Sequence, residues 1–189
     1  MALTILDSST ALIVVDLQKG IVGLPFVHPI ADVISRTRSL IDVFRRQQLP
    51  VVLVNVAGRA PGRTEQPQLY QTLPEGWADL IPELERHPDD MVVTKRTWGA
   101  FASTDLEAQL KARGVTQVVI AGVATGTGVE STARQAYEQG LNVTLAIDAM
   151  TDACSEAHIN SLTNVFPRLG ETGTTQQIID LLETRSSAQ

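Results

Sequence analysis

The sequence predicts an α/β protein in which a mostly parallel sheet is covered by helices, and three observations carry that expectation. Short apolar runs alternate along the chain with longer stretches of helical period. Most of the runs are β-branched and almost continuously apolar, as strands buried on both faces should be. The chain is 43% hydrophobic and 19% charged over 189 residues, a composition that supplies one well-buried core and is too short for two ordinary domains. Residues 1–189 are therefore expected to form a single domain.

The strands read in order as Ala11–Val15, Val51–Val54, Met91–Thr94, Gln117–Ala121 and Asn142–Ile147, with a weaker sixth around Leu169–Thr172. Between the first two, Ile30, Val33, Ile34, Thr37, Leu40, Ile41 and Phe44 recur at helical spacing and mark one inward face. Pro29 suits the first turn of that helix. Further helices fit Asp105–Ala112, Val129–Gln139, Glu156–Val165 and Gln176–Glu183, and Gly114 and Gly140 stand where left-handed C-terminal caps belong. From Ala57 to about Asp90 the rhythm breaks, with five prolines (Pro61, Pro67, Pro74, Pro82 and Pro88) and little periodicity. A long connection of this kind is either a lid or binding loop or a surface excursion packed against another subunit.

A formal net charge of −6 favours neither a nucleic-acid backbone nor an anionic membrane as partner. The first apolar run is too short to span a bilayer, and no basic segment precedes it. The single cysteine, Cys154, excludes an intrachain disulfide and fits a reducing compartment, so the expected location is cytoplasmic.

Ligands of open α/β sheets bind beyond the carboxyl ends of the strands, and three such ends stand out. The first strand runs into Asp16-Leu17-Gln18, a carboxylate directly after a buried run. The third ends at Lys95-Arg96. The fourth gives Gly122-Val123-Ala124-Thr125-Gly126-Thr127-Gly128, a glycine-rich turn entering a helix. Asp16 and Lys95 are expected to face each other across one crevice beside that helix start, giving a proton carrier, a fixed cation and backbone N–H donors. Taken alone, Asp16 also reads as a loop or capping residue and Lys95 as a solvated strand-end charge. The glycine-rich turn lacks the GxGxxG order, and no Lys-Ser or Lys-Thr pair completes a P-loop. Its other reading is a tight turn that needs small residues.

The ordered set Asp16-Leu17-Gln18, Lys95 with Ala100-Phe101, Gly122-Val123-Ala124-Thr125 and Val129-Glu130-Ser131-Thr132-Ala133-Arg134 resembles the isochorismatase-like (cysteine hydrolase) superfamily. Asp148-Ala149 and His158 extend the match, which runs from about Thr10 to Leu182. The resemblance implies a three-layer, Rossmann-like sandwich on a six-stranded sheet and a site of aspartate, lysine and cysteine. Asp16 and Lys95 match the first two, and the cysteine slot falls on Gly128. The Val123–Ala124 bond matches a position that is cis in the family. The resemblance also implies a homodimer or homotetramer.

Glycine offers no nucleophile. Cys154 lies past the fifth strand and is expected to be a buried structural thiol, and no histidine base stands near Thr127 in sequence. The metal-dependent branch of the family carries Asp-x-His-x-x-His after the second strand, where this chain reads Asn55-Val56-Ala57-Gly58-Arg59. The histidines, His28, His87 and His158, are widely separated, so neither a metal nor another cofactor is expected. Three functions are open. The first, which the resemblance implies from family members that likewise lack the cysteine, is hydrolysis of a small molecule without a covalent intermediate, such as the vinyl ether of isochorismate or a related small acid, with Asp16 as general acid. The second is a silent small-molecule-binding or accessory protein, and the third a structural subunit whose value lies in assembly. An adjacent Lys95 should lower the Asp16 pKa, so the first requires desolvation by substrate to raise it. Candidate substrate contacts are Gln18, Phe26, Arg59, Trp98, Val123, Ala124, Thr125 and Thr127. Trp98 reads equally as an aromatic packed at a subunit interface.

Overall fold

The computed structural model describes residues 3–65 and 72–186; Pro67 of the irregular connection lies outside the described residues. Strands β1 (Thr10–Val15), β2 (Val51–Val56), β3 (Met91–Lys95), β4 (Gln117–Val123), β5 (Asn142–Thr151) and β6 (Glu171–Gly173) form one sheet in the order β3-β2-β1-β4-β5-β6. Every pairing is parallel, where the sequence reading required only most of them. The order reverses between β1 and β4. That is the topological switch point at which such sheets open a crevice.

The alternation along β1 distributes the core. Ala11, Ile13 and Val15 face one layer, built with α3 (Leu106–Ala112) and α4 (Glu130–Glu138). Leu12 and Val14 face the other, built with α2 (Ile30–Arg46) and α6 (Thr175–Ser186). Strands covered on both faces need apolar residues at every position, and β1 and β4 are buried from end to end. Helix α2 buries Val33, Thr37, Leu40, Ile41 and Phe44 of the stripe its spacing marked, adds Val43, and leaves Ile30 and Ile34 half-buried. Each large apolar side chain of that stripe contributes about 1.5–3 kcal/mol by leaving water.

Several boundaries differ from the sequence reading. Strand β5 continues four residues past Ile147, because Asp148 interrupts the apolar pattern without ending the strand. The Asp148 carboxylate accepts hydrogen bonds from the Thr175 N–H at 2.7 Å and the Thr175 hydroxyl at 2.9 Å, so its polarity is satisfied. The helix read over Glu156–Val165 is α-helical only as α5 (Ser155–Asn160); it widens over Ser161–Val165 and tightens at Phe166–Arg168. Pro167, lacking an N–H, fits that break. The four-residue α1 (Lys19–Val22) is too short to show a period in sequence. Pro29 caps α2 rather than opening it. Gly114 and Gly140 adopt φ values of +65° and +80° after α3 and α4, as their cap positions require. No helix among the described residues is long and apolar enough to cross a membrane.

Candidate active site

The site begins where β1 stops. Asp16 donates its N–H to the Val54 carbonyl at 2.9 Å, then turns the chain out of the sheet at φ +53°, a conformation L residues seldom adopt and Asp tolerates better than most. That turn leaves its carboxylate buried at the carboxyl edge of the sheet. Lys95, the last residue of β3, reaches across the end of β2 and donates from Nζ to Asp16 Oδ2 at 2.7 Å and to the Thr97 carbonyl at 3.2 Å. Lys95 is 1% exposed and Asp16 5%. The two strand-end charges therefore form a buried pair.

Asp16 Oδ1 is buried with no hydrogen-bond partner among the described residues. Burial raises the carboxyl to about 6, outweighing Lys95, whose charge and hydrogen bond both act to lower it. The sequence reading left this desolvation to a bound substrate. The fold already supplies it, because Asp16 is buried where β1 leaves the sheet, with Lys95 and Gly128 against its carboxylate.

The turn after β4 forms the opposite wall. Gly122 takes φ +108°, and a Cβ there would fall inside the Val15 backbone, so only glycine allows β4 to press this closely against β1. The Val123–Ala124 peptide is cis. Residues Thr125–Val129 then form a wide turn that runs directly into α4, and the N–H groups of Thr127 and Val129 both donate to the Ala124 carbonyl at 3.1 Å. Gly128 is fully enclosed. A Cβ at this residue would stand 3.1 Å from Asp16 Oδ2, 3.0 Å from Val15 Cγ1 and 3.1 Å from the Val123 carbonyl oxygen. Asp16, Lys95 and Gly128 thus converge within a few ångströms.

The remaining candidates divide. Gln18 is fully buried, and its amide is used by the backbone: Nε2 donates to the carbonyls of Val56 at 3.0 Å and Trp77 at 3.2 Å, while Oε1 accepts from the Val56 N–H at 2.7 Å. It ties the β1 exit to the β2 exit and to the proline-rich connection. Val123 is buried and Ala124 half-buried at the cis bond. Phe26 is half-buried on the α2 face of the core. Arg59 is exposed, and Trp98 is 67% exposed two residues beyond Arg96, whose guanidinium donates to the Ala57 carbonyl at 3.3 Å. Thr127 is half-buried, whereas Thr125 is fully buried with its hydroxyl on His158 Nδ1 at 2.8 Å. Thirty-three positions separate that pair, so inspection of the local sequence missed it.

Cys154 corrects an expectation. It is exposed, not buried, with Sγ 3.4 Å from Glu156 Oε2. The reason is the extension of β5 to Thr151, which places Cys154 in the short turn capping α5 instead of beneath the sheet. Among the described residues no three His, Cys, Asp or Glu side chains gather closely enough to hold a metal ion. A surface cleft of about 760 Å³ lies at the opposite end of the sheet, bordered by Ser9, Arg45, Pro50, Asp90, Met91 and Arg113. Arg45 and Asp90 neutralise each other there at 2.5 Å, and no candidate residue borders it.

The profile of the isochorismatase domain matches residues 10–177. The isochorismatase family protein YwoC of Bacillus subtilis is 38% identical over 178 residues, covering 90% of this chain and 93% of its own. YecD of Escherichia coli O157:H7, also an isochorismatase family protein, is 39% identical over 183 residues, covering 92% and 96%. The structure of an isochorismatase family protein from Burkholderia thailandensis superposes with a TM-score of 0.91 at 40% identity, over 95% of this chain and 98% of that one.

Proposed function

The chain belongs to the isochorismatase family of hydrolases, and on that premise we propose that it hydrolyses a small acidic molecule without a covalent intermediate, using Asp16 as general acid. The observation that carries this reading is the state of Asp16. Its carboxyl is buried and raised to about 6, one oxygen is held by Lys95, and the other has no hydrogen-bond partner among the described residues. Beside it stands Gly128, at the position where the family resemblance places a cysteine. A carboxyl near 6 keeps a usable protonated fraction around neutral pH, which a general acid needs.

The reaction such a site suits is hydrolysis of an enolpyruvyl ether, with isochorismate as the model substrate. Asp16 delivers its proton to the methylene carbon of the vinyl ether, the C=C electron pair forming the new C–H bond. The positive charge develops on the ether carbon and is shared with the ether oxygen as an oxocarbenium ion. Water adds to that carbon and returns a proton to the Asp16 carboxylate. In the resulting hemiketal the hydroxyl gives up its proton as its oxygen forms the C=O of pyruvate, the bond to the oxygen borne by the ring carbon breaks with its electron pair, and that oxygen takes up a proton, releasing pyruvate and a dihydrodiol. Lys95 holds Asp16 Oδ2 and, with the helix-start backbone, provides positive potential for a substrate carboxylate.

The experiment is incubation with isochorismate and with a panel of small amides, following pyruvate and ammonia, with Asp16→Asn as control. Pyruvate that disappears in the variant supports the reading. Ammonia release would instead mean amide hydrolysis by activated water. Recovery of tightly bound ligand unchanged would move the site to the silent, small-molecule-binding class.

A further inference from the structure

A second polar cluster lies behind the site, and the reaction above leaves it unused. Helix α5 packs across the wide turn Thr125–Val129 and touches it at both ends. At its start, Thr125 Oγ1 and His158 Nδ1 are 2.8 Å apart, both residues being buried. Just past its end, the Ser161 hydroxyl donates to Glu130 Oε2 at 2.6 Å. His158 and Ser161 lie three residues apart and so share a helical face. Between them, a Cβ on Gly126 would stand 3.1 Å from Ala157 Cβ, and the Gly126 N–H donates to Asp152 Oδ2 at 2.7 Å. Asp152 is itself tied down, its Oδ1 accepting from the Cys154 N–H at 3.0 Å and its carbonyl from the Val27 N–H at 2.9 Å.

We propose that His158 is a positioning residue for the site: through the Thr125 hydroxyl it holds the turn that sets Gly128 against Asp16. The geometry supports transmission over so short a path. Thr125 and Gly128 sit on one five-residue turn, and Gly128 is buried so near Asp16 that a Cβ added to it would stand 3.1 Å from Oδ2. A shift of a few tenths of an ångström at Thr125 therefore alters the packing around the carboxyl. Packed interiors pass such shifts on rather than absorb them. His158 is also kept from charging, chiefly by burial and then by the neighbouring His28 ring, 4.8 Å away between centroids, against the opposing pull of Asp152. His28 in turn is anchored to the Thr151 hydroxyl through both its N–H at 3.2 Å and its Nδ1 at 3.1 Å. A neutral imidazole suits a fixed hydrogen bond to one hydroxyl better than a switch does.

This inference rests on the Asp16 reading, and the test separates the two. Three variants are compared with wild type: His158→Phe, which fills the space without the bond; His158→Asn, whose Oδ1 can replace Nδ1; and Thr125→Val, isosteric and without the hydroxyl. Two readouts need no substrate: amide exchange over residues 125–129 and the carboxyl titration of Asp16 by NMR. The expected result is exchange faster by roughly tenfold or more, confined to the turn, in His158→Phe and Thr125→Val. The Asp16 midpoint in both should move by about half a unit or more, and His158→Asn should restore it. With isochorismate as probe, kcat falls roughly tenfold in the two disrupting variants while KM stays within about twofold. Unchanged exchange and titration in either disrupting variant overturn the proposal, as does equal impairment of His158→Asn and His158→Phe. If wild type releases no pyruvate, the functional reading fails alone, because exchange and titration still decide the positioning role.

Discussion

At the scale of single residues, the site reduces to a carboxyl that burial makes easier to protonate than a free one. Asp16 is raised from an ordinary value of 3.8 to about 6 by burial. A carboxyl raised on folding stabilises the protein fully below its unfolded value, and that contribution is lost as pH climbs through the folded one. The window is therefore about pH 4 to 6, and the loss at neutral pH is on the order of 3 kcal/mol at 1.36 kcal/mol per unit. Asp16→Asn removes the titration. Its stability relative to wild type should rise across that window and level off above it, as urea melts at pH 4, 5, 6 and 7.5 will register; a pH-independent difference would refute the shift. Gly128→Ala probes the facing wall. Its methyl would crowd Asp16 Oδ2 at 3.1 Å and shield it from polar surroundings, so the NMR midpoint of Asp16 should climb above about 6, and an unmoved or lowered midpoint would contradict the assigned proximity. Asp16 and Lys95 stood out in the sequence through their joint placement at strand ends, since either charge alone reads equally as a loop or solvated residue. The place of Cys154 was not legible: the residue type says buried, and only the length of β5 shows it to be outside.

At the scale of elements, the unit that matters is β4, its turn and α4. The strand and the helix were readable from β-branched and helical patterns. The glycine-rich turn was readable as a turn but its width was not, because Thr125–Val129 is wider than an α-helix and its hydrogen bonds follow no sequence period. The same holds for α5, whose continuation by a wide turn the periodicity hid. What the sequence did show was the need for small residues, and Gly122 explains it. At φ +108° with the Val15 backbone where a Cβ would be, Gly122→Ala must both adopt a disfavoured conformation and separate β4 from β1. We expect a loss of more than about 3 kcal/mol by denaturant melting. A loss under about 1 kcal/mol would show that the two strands are not held this closely.

At the scale of the whole molecule, a parallel sheet of order β3-β2-β1-β4-β5-β6 brings three distant segments to one crevice. Residues 16, 95 and 128 meet because β1, β3 and β4 all point their carboxyl ends the same way, and the order reverses between β1 and β4. Strand direction and helix alternation were legible from composition and period, which is why the fold was. The depth of the crevice was not, since burial of Asp16 depends on Lys95 from β3 and the turn after β4 coming together at the end of β1. We propose that this depth makes Asp16 an acid. The pH dependence of kcat/KM for pyruvate release from isochorismate, with Asp16→Asn alongside, decides the matter. A protonated Asp16 predicts a plateau below about pH 6, a tenfold fall per pH unit above it, and loss of turnover in the variant. Activity that instead rises through pH 6, or survives in Asp16→Asn, would rule out acid catalysis by Asp16.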